Sequence, residues 1–291
     1  MRIGIHGRKL DKQSYPYVKA ILEELENRKV DITISEDFLN QKGLADLRIN
    51  KYTVYTDKNE IENIDYFFSL GGDGTFLDTV SHIGSLEIPI LGINLGRLGF
   101  LATISKFDIK DALNLFFEKK FSFDERMMIH LKSEKEFFGN QNYALNEVAV
   151  SKRDTSSMII VNCSINGEYV NTYWADGLMV STPTGSTGYS LSCGGPLVLP
   201  QSDDFVITPI SPHNLNVRPL IVSGSSVITL EIDGDGRKFL TSLDSRSYTL
   251  NNKIKLTLRK ENFKAKLIQL EGYNFFDTLR NKLNWGLDIR N

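Results

Sequence analysis

The strongest constraint on this chain is a change of hydrophobic periodicity near residue 121. Before that point, short apolar runs suited to strands alternate with patterns suited to helices. Residues 3–6, 30–34, 64–70 and 88–93 read as strands, whereas Val18, Ile21, Leu22 and Leu25 fall on one helical face. A further helix is expected after Asp108, a suitable N-cap, with Ile109, Ala112, Leu113, Phe116 and Phe117 on one side. Strands separated by helices imply a parallel sheet, and ligands of such sheets gather at the carboxyl ends of the strands. Beyond residue 121 the runs become short and β-rich, from "MMIHL" and "YALNEVAVS" to "KIKLTL" and "KAKLIQL". Turn formers separate several of them: Asn166-Gly167, Asp233-Gly234-Asp235-Gly236 and Asn251-Asn252. That spacing predicts an antiparallel, β-sandwich-like domain. The tail returns to a helical pattern, with Phe276, Leu279 and Leu283 on one face. The expected fold is α/β plus all-β: a Rossmann-like parallel-sheet domain over 1–120, a β-rich domain over 121–273 and a closing helix over 274–291.

Composition narrows the partners. The 291 residues carry 34 basic and 36 acidic side chains, a net charge of −2, so nothing demands nucleic acid or an acidic membrane surface. No apolar run approaches the ~18–20 residues of a membrane-spanning helix. The opening "MRIGIHGRK" enters a strand-like run directly, without the pattern of a signal peptide. Cys163 and Cys193 form neither a disulfide framework nor a metal spacing, and the four histidines, His6, His82, His130 and His213, show no ligand spacing either. A cytoplasmic protein is expected.

Four stretches make poor core and therefore suggest chemistry. The first is Gly71-Gly72-Asp73-Gly74-Thr75, where a strand ends and a helix begins. Glycines let a backbone approach a ligand closely, and a helix N-terminus offers unpaired N–H groups to a phosphate. A carboxylate there repels phosphate unless it accepts a proton or helps hold a metal. The second is "NLGRLGFL", residues 94–101, and the third is Asn146-Glu147 within an otherwise apolar strand. The fourth is "ADGLMVSTPTGSTGYSLSCGGPLVLP", residues 175–200, dense in small hydroxyls and glycine, with Tyr189 available to stack on a base. Taken singly, each also reads as a turn, an edge strand or a surface loop; Asp233-Gly-Asp-Gly lacks the later Glu of a calcium loop and reads as a hairpin turn.

In that order, and joined by "FVITPISPHNLNVRPLIVS" at 205–223, the four stretches resemble the NAD kinase family over most of the chain. The GGDG turn alone is shared with lipid kinases of the diacylglycerol and sphingoid type, and the later motifs separate the two. A non-catalytic NAD(P)-binding sensor is the other alternative, against which the intact Asp73 argues. The resemblance implies transfer of the γ-phosphoryl of ATP to the 2′-hydroxyl of the adenosine ribose of NAD. Asp73 would be the proton acceptor, with Gly71, Gly72, Gly74 and Thr75 around the donor phosphates and Mg²⁺ accompanying ATP. The NAD-binding residues it implies are Asp73, Gly74, Asn146, Glu147, Asp176, Thr187, Gly188, Tyr189, Ser190, Leu191 and Ser192, with Asp176 often serving a neighbouring subunit. It further implies a homodimer or homotetramer and a last helix that returns to the first domain. Gly188 stands where the family usually has Ala, Trp174 where it has a basic or small residue, Ser211 in place of a frequent Ala, and Arg246 near a frequent Gln.

Overall fold

Strands Arg2–Gly7, Tyr66–Gly71 and Ile90–Asn94 are buried almost without interruption, which is what a parallel strand covered on both faces requires. A computed structural model describes residues 1–8, 10–41, 51–153, 158–233, 238–251 and 253–285. The expected turn at 234–236, Asn252 and the last part of the closing helix, 286–291, lie outside the described residues. The chain divides into two units, residues 1–125 with 266 onward, and residues 126–265.

The first unit is built on an eight-stranded sheet. Its strands run in the order Thr53–Tyr55, Asp31–Ser35, Arg2–Gly7, Tyr66–Gly71, Ile90–Asn94, Ala265–Leu270 and Phe121–Arg126, with Ile104–Ser105 paired beside Ile90–Asn94. Arg2–Gly7 pairs in parallel with Asp31–Ser35 on one side and Tyr66–Gly71 on the other. The order of the chain across the sheet reverses there, so the turn after Gly71 lies at the topological switch point where α/β sheets bind ligands. Helix Tyr15–Asn27 has a proline in its first turn and buries Val18, Ile21, Leu22 and Leu25. Helix Ile109–Phe117 drives Phe116 among aromatic rings, edge-on to Tyr66 and Phe68 at 5.1 Å each and stacked on Phe121 at 5.5 Å. Asp108 occupies its N-cap position, but its side chain caps no backbone N–H.

Two sequence expectations shift. The run "KAKLIQL" is not part of the antiparallel domain: Ala265–Leu270 enters the first sheet, with Leu267 opposite Ile90 in parallel. Phe121–Arg126 belongs to the same sheet, so the chain returns near residue 266, before its last helix. That helix, Phe275–Leu283, is capped by the Asn274 side chain, which accepts the Asp277 N–H at 2.9 Å. Its inward face is turned by one residue from the expected one. Thr278 and Leu279 are buried and Phe275 is half-buried against Phe100, whereas Phe276 remains 53% exposed. The same i, i+3, i+4, i+7 spacing carries Lys282 onto that inward face.

The second unit is one antiparallel sheet of eleven strands over an apolar core that includes Val148, Val150, Leu178, Phe205, Leu230 and Leu256, with a smaller cluster of Ala149, Met179 and Ile210. Strand Glu168–Ser181 is its longest and lies between Glu147–Lys152 and Asp204–Pro212 for part of its length. Strand Phe239–Leu243 flanks Glu147–Lys152 on the other side. No helix among the described residues is long and apolar enough to cross a membrane.

Candidate active site

In the first unit, helix Asp73–Ile83 starts directly after the glycine turn, with Gly72 as its N-cap and no side chain capping its first turn. A Cβ added at Gly72 or Gly74 would meet nothing within 4 Å, so packing does not dictate glycine at either position. What those glycines leave is open space against bare backbone at a helix N-terminus, the condition for close approach of an anion. Gly71 differs, since a Cβ there would lie 2.3 Å from the Thr75 hydroxyl.

Asp73 does not point loosely into this space. Its Oδ2 accepts the N–H of Phe100 at 2.8 Å, and its Oδ1 accepts those of Leu101 and Ala102 at 3.0 and 3.1 Å. Three successive amides thus form an anion nest for the carboxylate. The stretch "NLGRLGFL" supplies the first two and Ala102, the residue after it, the third, and Asn94 shapes its start. The Asn94 amide donates to Arg97 O at 2.6 Å while its carbonyl accepts the Gly96 N–H at 2.7 Å. Gly99 is required by closeness alone, because a Cβ there would lie 1.9 Å from Asp73 Oδ1. From the closing helix, Lys282 donates to Leu98 O at 2.8 Å and holds its ammonium 4.0 Å from Asp73 Oδ2.

In the second unit a matching device orders Asn146 and Glu147. The buried Asp244 carboxylate accepts the N–H groups of Leu145, Asn146 and Glu147 at 2.9, 2.8 and 3.1 Å, and its own N–H donates to Glu147 O. The turn that follows strand Glu168–Ser181 packs onto the same backbone. Thr182 donates through its hydroxyl to Leu145 O at 2.5 Å and through its N–H to Asn146 O at 2.8 Å. A Cβ at Gly185 would collide with Asn146 O at 2.1 Å, so only glycine fits there. A methyl at Gly188 would lie 3.6 Å from both Asn146 Nδ2 and Glu147 Oε2, and its absence widens the space over these two side chains.

Asn146 Oδ1 and Glu147 Oε2 are buried without a hydrogen-bond partner. Native structures rarely leave such atoms unpaired, so both are available to a polar ligand. Burial, reinforced by the Asp244 charge, raises the Glu147 carboxyl to about 8. Burial raises Asp244 as well, but there three backbone N–H groups and Arg246 oppose the rise. A Glu147 carboxyl raised to about 8 is protonated near neutral pH, able to donate one hydrogen bond and accept others.

The remaining expected site residues separate into two groups. Thr187, Gly188 and Tyr189 follow the turn that packs on Asn146, with the Tyr189 ring 50% exposed. Leu191 is half-buried and Ser192 exposed. Ser190 is instead buried and engaged with the Thr208 hydroxyl at 2.9 Å. Asp176 lies five residues before Ser181, the partner of Glu147 in the sheet, and pairs with Lys152 at 2.6 Å. Arg246 donates to the carbonyls of Gln141 and Tyr143, and Trp174 stacks on His213 at 4.9 Å. Asp244, Lys282 and Lys152 were not singled out by the sequence reading; the only signal for Lys282 was its spacing from Phe275 and Leu279 in the tail.

A carboxylate fixed at the mouth of a helix N-terminal phosphate turn, in a chain that also carries an antiparallel unit with unsatisfied polar groups, defines a nucleotide-dependent phosphotransferase. Comparison with known proteins makes the class specific. A family model for the ATP-NAD kinase N-terminal domain matches residues 3–121, and one for the ATP-NAD kinase C-terminal domain matches 145–270. The chain is 48% identical to the NAD kinase of Cytophaga hutchinsonii and 44% identical to that of Christiangramia forsetii, over the full length of all three proteins. Its fold is similar to that of an Archaeoglobus fulgidus NAD kinase solved with ATP, at a TM-score of 0.77 and 28% identity, covering 98% of this chain and 99% of that one. It is also similar to the fold of yeast NADH kinase solved with NADH, at a TM-score of 0.86 and 23% identity, covering 100% and 89%. The chain belongs to the NAD kinase family.

The Glu147 carboxyl supplies a stability test. Its value is raised in the folded protein, so its stabilising contribution is complete below about 4.5 and is lost as pH rises through about 8. Glu147→Gln keeps the shape and removes the titration. The urea midpoint of the wild type should fall between pH 6 and 8.5 by the equivalent of about 1–3 kcal/mol more than that of the variant. Parallel pH profiles would mean that Glu147 is not raised.

Proposed function

We propose that this protein is an NAD kinase that transfers the γ-phosphoryl of ATP to the 2′-hydroxyl of the adenosine ribose of NAD, giving NADP and ADP. The observation that carries the reading is the Asp73 carboxylate, clasped by three amides beside a turn whose glycines leave room for phosphate. In the reaction the ribose oxygen forms a bond to the γ-phosphorus as the bond to the bridging β–γ oxygen breaks. The hydroxyl proton passes to Asp73, and the leaving charge stays on ADP. Because the clasp fixes both carboxylate oxygens, the base needs no reorganisation as the reaction begins.

The turn at Gly71, Gly72, Gly74 and Thr75 receives the donor phosphates through backbone N–H groups and the helix dipole. Mg²⁺ enters with ATP as part of the substrate. Such an ion is held by phosphate oxygens and one or two carboxylates, and Asp73 Oδ2, with a single N–H donor, retains capacity for that role. When bound, the ion screens the phosphate charge that Asp73 would otherwise repel. Lys282, 4.0 Å from Asp73, brings a positive charge to the same place from the protein side.

Asn146 and Glu147 bind the ribose hydroxyls and base of NAD, which satisfies their unpaired buried oxygens. Asp73 and Gly74 belong to the NAD site at its reacting end, and Thr187, Gly188, Tyr189, Leu191 and Ser192 enclose the adenosine, with Ser190 holding the loop through Thr208. Asp176 completes the site of a neighbouring subunit in a homodimer or homotetramer. The exposed Trp174, Leu215 and Ile221 support such an assembly. A cytoplasmic location belongs to the same reading, with both cysteines free of disulfides.

A coupled assay offering NAD or NADH with Mg·ATP tests the activity itself; no NADP or NADPH from either acceptor would overturn the reading. Asp73→Asn is not a neutral replacement, because the amide NH₂ must face one of the donor N–H groups that the carboxylate now accepts. It should lower kcat by ~10²–10⁴ while NAD still binds. A kcat near that of the wild type at saturating Mg·ATP would remove Asp73 as the base. Lys282→Ala should lower kcat/KM for ATP by about tenfold and leave the Kd of NAD unchanged, about 1.4 kcal/mol of transition-state stabilisation. Equal losses for ATP and NAD would instead show that Lys282 only secures the closing helix.

A further inference from the structure

A second polar cluster lies in the first unit, away from the phosphate turn. His6 comes from strand Arg2–Gly7, Asp37 from the one-turn helix Glu36–Leu39, and His82 from the last turn of helix Asp73–Ile83. One donor atom from each lies within 4.8 Å of the others, and His82 Nε2 is 4.0 Å from Asp37 Oδ2. The imidazole centroids of His6 and His82 are 4.3 Å apart. We propose that these three side chains bind one borderline transition-metal ion of the zinc type.

The strongest support is the state of His6. The residue is fully buried, its Nδ1 is held by the Ser35 hydroxyl at 2.9 Å, and its Nε2 has no hydrogen-bond partner. A buried ring nitrogen left unpaired is destabilising, and a metal bond would offset that cost. The Ser35 contact fixes the ring so that the free nitrogen is the one available to the cluster, as the outer-shell partner of a metal-binding histidine does. Metal ligation also needs neutral imidazole. Burial takes His6 down to about 3 and lowers His82 as well, so both rings are neutral near pH 7. The Arg8 charge adds to both shifts, but its guanidinium is paired with Asp78 at 2.7 Å, and Asp37 adds a negative charge. The Tyr55 ring stands edge-on to His82 at 5.8 Å, and burial keeps its phenol protonated, so it brings no competing anion.

The donor set selects the ion. Two imidazoles and one carboxylate suit Zn²⁺ and leave a position for water, whereas Mg²⁺ takes oxygen ligands. Bonds of about 2.0–2.1 Å put tetrahedral donors about 3.4 Å apart, so closure needs movements of about 1 Å. Asp37, whose side chain is 67% exposed, can supply most of that. His82 is nine residues beyond Asp73 on the same helix, about 13 Å along its axis, so this ion is separate from the one that accompanies the donor phosphates. Its effect would be to join the first strand, the segment after the second strand and the helix that carries Asp73.

The test uses the full chain stripped with EDTA and returned to chelator-free buffer at pH 7.5. Titration with Zn²⁺ should give one equivalent bound and a rise in Tm. Co²⁺ in its place should give the intense visible absorption of a four-coordinate site. His82→Gln and Asp37→Asn should each weaken Zn²⁺ binding at least tenfold, without changing the kinase activity of the metal-stripped protein measured with excess Mg·ATP and no added Zn²⁺. Absence of stoichiometric Zn²⁺ uptake by the wild type at micromolar free metal would overturn the proposal. Unchanged affinity in both variants would overturn it too, by placing the ion on other side chains.

Discussion

The clasp between the Asp73 carboxylate and the amides of Phe100, Leu101 and Ala102 is the interaction on which the phosphate turn depends. It ties the loop that follows one central strand to the loop that follows the next, and it sets the direction of the helix that begins at Asp73. Hydrogen bonds to a charged acceptor contribute about 1.5–3 kcal/mol each, so three of them offset a large part of the conformational entropy of ordering a glycine-rich loop. The clasp imposes conditions on its neighbours: glycine at position 99, an Asn at 94 to form the turn, and Lys282 from the tail. What reads as a loose glycine loop is a rigid seat for one carboxylate.

The second unit repeats the principle with a different result. Asp244 gathers three amides as Asp73 does, but it sits behind the site and orders Asn146 and Glu147 in front of it. Asp73 is held by three amide donors, with an ammonium 4.0 Å away. Glu147 has no such donors, and burial, reinforced by the Asp244 charge, pushes its carboxyl up. Two acidic residues thus sit in opposite surroundings, one amid donors and the other buried beside a second carboxylate.

Much of this was legible in the chain. The alternation of periodicities gave both architectures, because a parallel sheet and an antiparallel one bury different faces and leave different patterns. The motifs pointed to the clasped Asp73 turn in the first unit and to the Asn146–Glu147 pair in the second, since glycine runs and buried polar pairs are poor core. Four things were hidden for physical reasons. "KAKLIQL" has the composition of any strand, and nothing local says which sheet will accept it. Asp244 lies nearly a hundred residues from the amides it holds, and Lys282 some 180 from the carbonyl it meets, so neither leaves a local signature. The closing helix was expected with Phe276 inward; the Asn274 cap sets the register one residue earlier, and that shift brings Lys282 to the turn. His6 and His82, with 75 residues between them, became neighbours only through the sheet.

The late strand Ala265–Leu270 sits between Ile90–Asn94 and Phe121–Arg126, so the first sheet cannot be completed by the first part of the chain. On the ribosome, residues 1–125 emerge with a slot where that strand belongs, exposing two unpaired strand edges while more than a hundred further residues are still being made. The second unit has all its own strands by residue 265 and can form first. The sheet therefore closes only after residue 265 has been made, and the helix that bears Lys282 follows, so the glycine turn gains that contact later than any contact within residues 1–125. A prematurely terminated product would keep the glycine motif yet lack the strand and the lysine, and its open edges would mark it for aggregation or proteolysis instead of leaving a partly active kinase.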